Sequence, residues 1–347
     1  MSEFIKSSTK KKLIAIWCVL SLLCVQQLGA KRVYEVDGTP GYNCWPMIQS
    51  VGKRLICIYT CGKVHDPGEK GRGAYAKYSD DGGRSWSDKV LMEKNEEYGT
   101  SSIGKGVDKE GNALFWLRRM GINQRMALYR TSDGETFELI STPSLNPLPM
   151  QITDIYHTPE GLECLWFSDD YNRNIANKSW GVLVSRDNGK SWEQRIIEKD
   201  LKMDDWPTEP SVVVYGDGRL LAIARSETGN QFQLTSYDWG KTWTKQKTNI
   251  DDVSLSTPSL ILNKSTGMLY NYYYQRGSGL LKVRKVNSES IFNSPQFWPE
   301  PKVMAQGGTE RPCDSGNVNA VAMKKKHYIT YYSGDPENCK ILVLVNK

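Results

Sequence analysis

An eight-residue string appears three times along this chain, and its recurrence limits the fold more than any other feature. Ser79-Asp-Asp-Gly-Gly-Arg-Ser-Trp86, Ser185-Arg-Asp-Asn-Gly-Lys-Ser-Trp192 and Ser236-Tyr-Asp-Trp-Gly-Lys-Thr-Trp243 share the pattern S-x-D-x-G-x-[ST]-W, and a shortened copy stands at Thr131-Ser-Asp-Gly-Glu-Thr-Phe137. Their aspartates, at 81, 133, 187 and 238, are separated by 52, 54 and 51 residues. A fixed period of this size marks a chain built from stacked, similar units. Each string has the chemistry of a tight turn: the aspartate accepts hydrogen bonds from nearby backbone N–H groups and the glycine takes a positive φ. The closing Trp or Phe packs against the blade. These aspartates are therefore read as structural, with no chemistry assigned to them.

Between the turns lies a second repeat. Six segments each read as a strand, a polar turn and a second apolar strand: Trp45–Tyr59, Ser101–Arg118, Gln151–Phe167, Glu209–Arg225, Thr257–Tyr274 and Asn317–Tyr332. Their turns carry Asp108-Lys-Glu-Gly111, Thr158-Pro-Glu-Gly161 and Gly216-Asp-Gly218, the usual punctuation of hairpins. Helical periodicity is nearly absent. Six inner hairpins, each followed by an outer one, predict an all-β, six-bladed β-propeller with four-stranded antiparallel blades. The strand-like stretches Arg32–Val36 and Ile341–Val345 are expected to pair in the last blade, which hides two sheet edges.

The N-terminus reads as an export signal. Lys10-Lys11-Lys12 precedes the apolar run Leu13 to Val25, and Leu28-Gly29-Ala30 offers a small-residue cleavage point. The run is too short to span a bilayer, so residues 1–30 are expected to be removed, leaving one domain over 31–347 in the periplasm or outside the cell, with no transmembrane segment. A lipid anchor on Cys24 is disfavoured by Leu23, where a lipoprotein signal wants a small residue. Removing four lysines and Glu3 lowers the formal charge from +6 to +3. The one remaining basic block, Lys324-Lys325-Lys326, reads as a solvated hairpin tip, so no nucleic-acid partner is expected. Cysteines 44, 57, 61, 164, 313 and 339 remain, without a CxxC pair; export permits disulfides, but sequence does not choose among the pairings. No Gly-rich phosphate loop or metal-ligand cluster is present, so no cofactor or obligatory metal is expected, and a single closed ring is expected to work as a monomer.

The turns and the blade count resemble the sialidase superfamily, with its Asp-box or BNR repeats, over essentially the whole mature chain. Glu209-Pro-Ser-Val-Val-Val-Tyr-Gly-Asp-Gly-Arg-Leu-Leu-Ala-Ile-Ala-Arg225 is similar to that family's fourth-blade segment, which supplies a buried glutamate and one arginine of a carboxylate-binding triad. By the same resemblance Arg276 is placed like the fifth-blade arginine, and Asp66 like the acid/base aspartate. Two departures stand out. Cys44-Trp45-Pro46 occupies the place of the family's Arg-Ile-Pro, and Asp314-Ser-Gly-Asn-Val-Asn319 the place of its nucleophilic tyrosine. The resemblance thus implies a sialidase-like glycosidase whose mechanism departs from the tyrosine route.

The residues themselves support a site at one end of the axis. In a propeller the starts of first strands and the ends of second strands meet at one face. Here that gathers Trp45, Gln151, Glu209 and Asn317 with Arg118, Arg119, Asp169, Asp170, Arg225 and Arg276, while the loop Thr60–Gly73 adds His65, Asp66 and Arg72. Arginines beside carboxylates suit an acidic sugar, which they hold by charge-assisted bonds. Glycoside hydrolysis needs two groups flanking the bond. Asp66 and Glu209 form the first candidate pair, with His65 as a group that titrates near neutrality and Asp314 as a substitute base. Arg225, Arg276, Arg118, Trp45 and Asn317 are the candidate substrate contacts. Each has a plainer reading: Arg225 as the ion-pair partner of Glu209, Arg276 as a loop charge, Asp66 as a turn residue before Pro67, His65 as an exposed side chain, and Trp45 and Trp206 as packing. Three functions are compatible with this constellation: an exo-glycosidase on terminal acidic sugars, a polysaccharide lyase on uronates, and a glycan-binding propeller without catalysis.

Overall fold

The computed structural model describes residues 31–120, 125–168, 176–253, 255–307, 316–335 and 337–346. Asp169, Asp170, Cys313 and Asp314 lie outside them, as does the expected signal segment. Residues Val33–Lys347 make one compact unit.

After β1 (Arg32–Asp37), the chain runs through successive up-and-down groups of strands. The first is β2 (Gly41–Val51), β3 (Arg54–Gly62), β4 (Gly73–Ser79) and β5 (Val90–Glu93), and the second β6 (Gly99–Val107), β7 (Ala113–Met120), β8 (Arg125–Thr131) and β9 (Glu138–Ser141). The third comprises β10 (Pro149–Ile152), β11 (Tyr156–Thr158), β12 (Gly161–Ser168), β13 (Lys178–Ser185) and β14 (Glu193–Leu201). Next come β15 (Thr208–Val214), β16 (Leu220–Arg225), β17 (Phe232–Ser236) and β18 (Thr244–Lys247), followed by β19 (Ser259–Asn263), β20 (Met268–Gln275), β21 (Leu280–Asn287) and β22 (Lys302–Gln306). The last are β23 (Gly316–Met323), β24 (Lys326–Ser333) and β25 (Asn338–Asn346). The arrangement is an all-β propeller, and all six inner hairpins form where the sequence pattern puts them.

The division into sheets corrects one expectation. Four sheets of four or five strands stand alone, but six separate sheets do not form, because β23–β24–β25 and β2–β3–β4–β5 are joined in a single eight-stranded sheet that also includes β1. The join is a short parallel pairing in which Gly41 faces Asn338 and Tyr42 faces Cys339. β1 does pair with β25 as the two termini suggested. Lys324, with φ 57°, sits in the turn between Met323 and Lys326 and confirms the basic triplet as a hairpin tip.

The repeated turns hold as their chemistry dictates. Asp187 Oδ1 accepts from Ser191 N at 2.9 Å and from Ser185 Oγ at 2.9 Å, and Oδ2 takes Ser191 Oγ at 2.5 Å. Asp81, Asp133 and Asp238 make the equivalent bonds. Partial burial raises the Asp81 carboxyl, but the bonds from Ser85, Ser79 and Arg84 outweigh it and lower the group to about 2. The closing aromatics do more than cover their own blade. Trp192 meets Trp116 of the preceding sheet with ring centroids 5.2 Å apart, and Trp243 meets Trp180 at 6.2 Å. These two turns therefore staple their sheets to the ones before them.

A second set of bonds ties the sheets near the axis. Leu260 N donates to Ser211 Oγ, Ala320 N to Ser259 Oγ and Ile48 N to Asn319 Oδ1, all at 2.9 Å, so β15, β19 and β23 each cap a backbone N–H of the next innermost strand. All three bonds are buried, where an unmade bond costs most.

Two outcomes follow. Asp187→Ala should lower stability by about 2 kcal/mol, since three hydrogen bonds of the turn go at once; thermal melts check this. Glu163, hydrogen-bonded by Thr158 at 2.8 Å, has its carboxyl raised to about 7, first by burial and then by the nearby charge of Glu160. A raised folded-state value means stability is full below pH ~4.5 and is lost as pH rises through ~7, by on the order of 3 kcal/mol. His327, pushed down by burial to about 4, works in the opposite sense over a similar range. The comparison with Glu163→Gln isolates the carboxyl: the variant should gain on the wild type between pH 5 and 8.

Candidate functional site

Five innermost strands slip their register against the second strand near the mouth of the axis. The breaks fall between Cys44 and Met47, Ser102 and Gly104, Pro149 and Gln151, Thr208 and Ser211, and Gly316 and Asn319. A bulge of this kind re-aims a side chain. Trp45, Glu209 and Asn317 each occupy such a break with φ of 52°, 48° and 42°, a left-handed conformation that costs a non-glycine residue energy and is concentrated at functional sites. Pro46 and Pro210 follow the first two; with no N–H to give to a ladder, proline fits at a bulge.

The three strained residues line one cavity of about 250 Å³. Its wall also includes Ser101, Ser102 and Ile103 of β6, Arg118 of β7, Met150 and Gln151 of β10, Arg225 of β16, Arg276 just after β20, and His65 and Pro67 from the loop over residues 63–72. Glu209 is 8% exposed; Arg225 Nη1 donates to its Oε2 at 3.0 Å and Gln151 Nε2 to its Oε1 at 3.1 Å. The second amino group of Arg225 pairs with Glu227 at 3.0 Å. Arg276 Nη2 donates to Asn317 Oδ1 at 3.0 Å, and Arg118 Nη1 to Met150 O at 2.8 Å. Among the described residues the wall thus carries three arginines and Glu209, with the carboxylate of Glu227 adjoining Arg225. His65 Nδ1 is hydrogen-bonded to the Tyr42 hydroxyl, and its ring stands edge-on to Trp45 with centroids 5.5 Å apart. When Tyr42 donates to Nδ1, the imidazole proton sits on Nε2. Cys44, beneath this wall, is no nucleophile, because burial pushes its thiol up to about 12 against the pull of Arg72.

Trp45, His65, Arg118, Gln151, Glu209, Arg225, Arg276 and Asn317 thus come together as the sequence suggested. Other candidates do not join them. Asp66 is exposed; its Oδ1 accepts from Gly68 N at 2.8 Å and caps a turn, outside the cavity wall. Arg119 points to the other side of β7 and pairs with Glu93 at 2.7 Å. Trp206 is fully buried and donates to Ser179 O at 3.2 Å. Arg72 is also fully buried, behind the wall. Tyr272, Tyr273 and Tyr274 are core residues. Sequence reasoning missed Tyr42, Met150 and Glu227. The last was within reach, since positions 225 and 227 share a side of an extended chain. Among the described residues the cysteines 44, 57, 61 and 164 are in no disulfide, no cluster of three His, Cys, Asp or Glu could hold a metal, and no helix is long and apolar enough to cross a membrane.

Burial assigns different costs to the two central arginines. Arg225→Ala would leave Glu209 and Glu227 buried without their counter-charge, so it should cost about 3–5 kcal/mol. Arg276→Ala, at a half-buried position, should cost about 1 kcal/mol or less. Parallel thermal or urea melts test the difference.

The BNR repeat-like domain family matches residues 171–308. A sialidase from Paraclostridium sordellii is 27% identical over 168 residues, which cover 48% of this chain and 31% of that protein. The chain therefore spans about a third of the curated relative's length. Among solved structures, a Dyadobacter fermentans protein of unknown function superimposes with a TM-score of 0.74 at 16% identity, covering 91% of this chain and 97% of that one. The NanB sialidase of Streptococcus pneumoniae gives 0.67 at 12% identity over 90% and 70% of the two chains. Trypanosoma rangeli sialidase in complex with sialic acid gives 0.61 at 12% identity over 90% and 56%.

Proposed function

The chain belongs to the sialidase/BNR-repeat propeller superfamily, and from that premise we propose that it is a sialidase-like exo-glycosidase that removes a terminal, carboxylate-bearing sugar from a glycan. The observation that carries this reading is the convergence of Arg118, Arg225 and Arg276 with buried Glu209 in a single cavity of about 250 Å³. A cavity of that size takes the end of a chain rather than its middle. In this reading the eight-stranded sheet counts as two blades, six in all, residues 1–30 are an export leader, and the propeller works alone without a cofactor.

The roles follow from the partners. Arg276, beside Asn317, and Arg118 line the cavity and receive the carboxylate, and Arg225 holds Glu209 and Glu227. Trp45 offers a ring face to the sugar. His65, as the imidazolium whose Nδ1–H is given to the Tyr42 oxygen, donates its Nε2 proton to the leaving oxygen and is left as neutral imidazole, a role the sequence had given first to Asp66. Glu209 serves as the base that orients water. Both oxygens of Glu209 already accept hydrogen bonds, and this favours a second reading in which the pocket holds the sugar without cleaving it.

The test is a panel of glycans ending in sialic or hexuronic acids. Hydrolysis releases a reducing sugar, elimination yields an unsaturated uronate that absorbs in the ultraviolet, and binding alone gives neither. His65→Gln should cut kcat about a hundredfold or more with KM little changed, and Arg276→Ala should raise KM or Kd at least about tenfold. Binding without any product, weakened by Arg276→Ala, would replace the glycosidase reading with the second one.

A further inference from the structure

His65 reaches the cavity from residues 63–72, which contain no regular strand or helix between β3 and β4. Proton transfer needs its donor held to about half an ångström by its supporting contacts, and a loop alone does not provide that. The backbone on either side of His65 is gripped instead. Arg72 Nε donates to the carbonyl of Asp66 at 3.0 Å, and Arg72 Nη2 donates to the carbonyl of Val64. These are the residues immediately after and immediately before the histidine. The Glu69 carboxylate completes the clamp: it accepts from Lys63 N at 2.8 Å and Val64 N at 3.3 Å, and it pairs with Arg72 Nη2 at 2.9 Å.

We infer that Arg72, locked by Glu69, is the positioning residue of His65: one buried guanidinium holds both flanking carbonyls and so fixes the imidazole at the cavity wall. The inference rests on the proton-donor role proposed for His65. The same guanidinium lies over the ring of Trp45 at 4.9 Å and that of Tyr42 at 5.6 Å, and Nη1 donates to Cys44 Sγ at 3.2 Å. It therefore also braces the residue that stacks beside His65 and the one that holds Nδ1. Burying a charge this completely is costly unless every donor is used, and here the planar fork of arginine serves two carbonyls, a carboxylate and a thiol. A lysine ammonium is a single point charge and cannot span them. The chain also makes room for the clamp. A Cβ on Gly62 would lie 2.6 Å from Arg72 Cζ and overlap the Glu69 carboxylate, and one on Gly99 would lie 2.6 Å from Glu69 O.

The chain has three histidines, at 65, 157 and 327, so ring-labelled histidine gives three resonances, with His65 assigned by its loss in His65→Gln. In folded Arg72→Lys the His65 resonance should shift and broaden while the other two stay in place. Turnover should fall about tenfold or more with KM within about threefold, and in the His65→Gln background Arg72→Lys should cost no more than about twofold further, because residues acting through one another are not additive. A folded Arg72→Lys variant with an unmoved His65 resonance, or losses that multiply in the double variant, would overturn the inference. Should Arg72→Lys fail to fold, Glu69→Gln and Gly62→Ala disturb the same clamp and carry the same test. If the wild type turns over no glycan, the proton-donor role fails by itself, and the resonance comparison still decides whether Arg72 holds the ring.

Discussion

In five of the innermost strands the hydrogen-bond register against the second strand breaks within a few residues of the axis mouth, and the pocket depends on those breaks. A regular strand alternates its side chains strictly between its two faces. The extra residue at each bulge escapes that alternation. At three of the breaks it takes a left-handed conformation, and Trp45, Glu209 and Asn317 are the residues that do so. The strain at these sites is sustained by what surrounds them: proline at 46 and 210 where the ladder would want an N–H, and the ring of axial bonds through Ser211, Ser259 and Asn319 two residues further on. Because each axial bond crosses from one innermost strand to the next, side chains from distant parts of the chain are held in one frame.

The outer rim is held by a different device. There two of the aspartate turns staple their sheets to the preceding ones through their tryptophans, with Trp192 on Trp116 and Trp243 on Trp180. The labour is divided between the two ends of each blade. The rim supplies repetitive stability, and the axial mouth is left to carry irregular backbone and charged groups. Glu209, Arg225 and Glu227 form a buried chain of alternating charge. Arg118 and Arg276 line the same cavity beside it.

What the sequence disclosed follows the same division. The turns and the six inner hairpins were legible because their signals are local and periodic: an aspartate, a glycine and an aromatic at fixed offsets, or apolar runs around polar turns. The convergence of Trp45, Arg118, Glu209, Arg225, Arg276 and Asn317 was legible because propeller geometry sends strand starts and ends to one face. Three things were not. The parallel pairing of Gly41–Tyr42 with Asn338–Cys339 joins two blades through backbone bonds that leave no side-chain pattern. His65 and Asp66 are neighbours in an irregular loop, where no period says which one faces inward. Arg72 was gathered with the pocket by its place on the same loop, and only the contacts of the folded loop show it buried behind the wall among two carbonyls and a carboxylate. Arg118 and Arg119 are a milder case, since adjacent strand residues point to opposite faces and only one of them could line the cavity.

The central claim is that this cavity recognises the carboxylate of a terminal sugar. Its most direct test is a crystal structure of the protein with a methyl glycoside of sialic or glucuronic acid. The account predicts the sugar seated between Trp45 and His65, with its carboxylate within hydrogen-bond distance of Arg276 and Arg118. A sugar bound elsewhere on the propeller, or one in this cavity with its carboxylate turned to solvent, would contradict it.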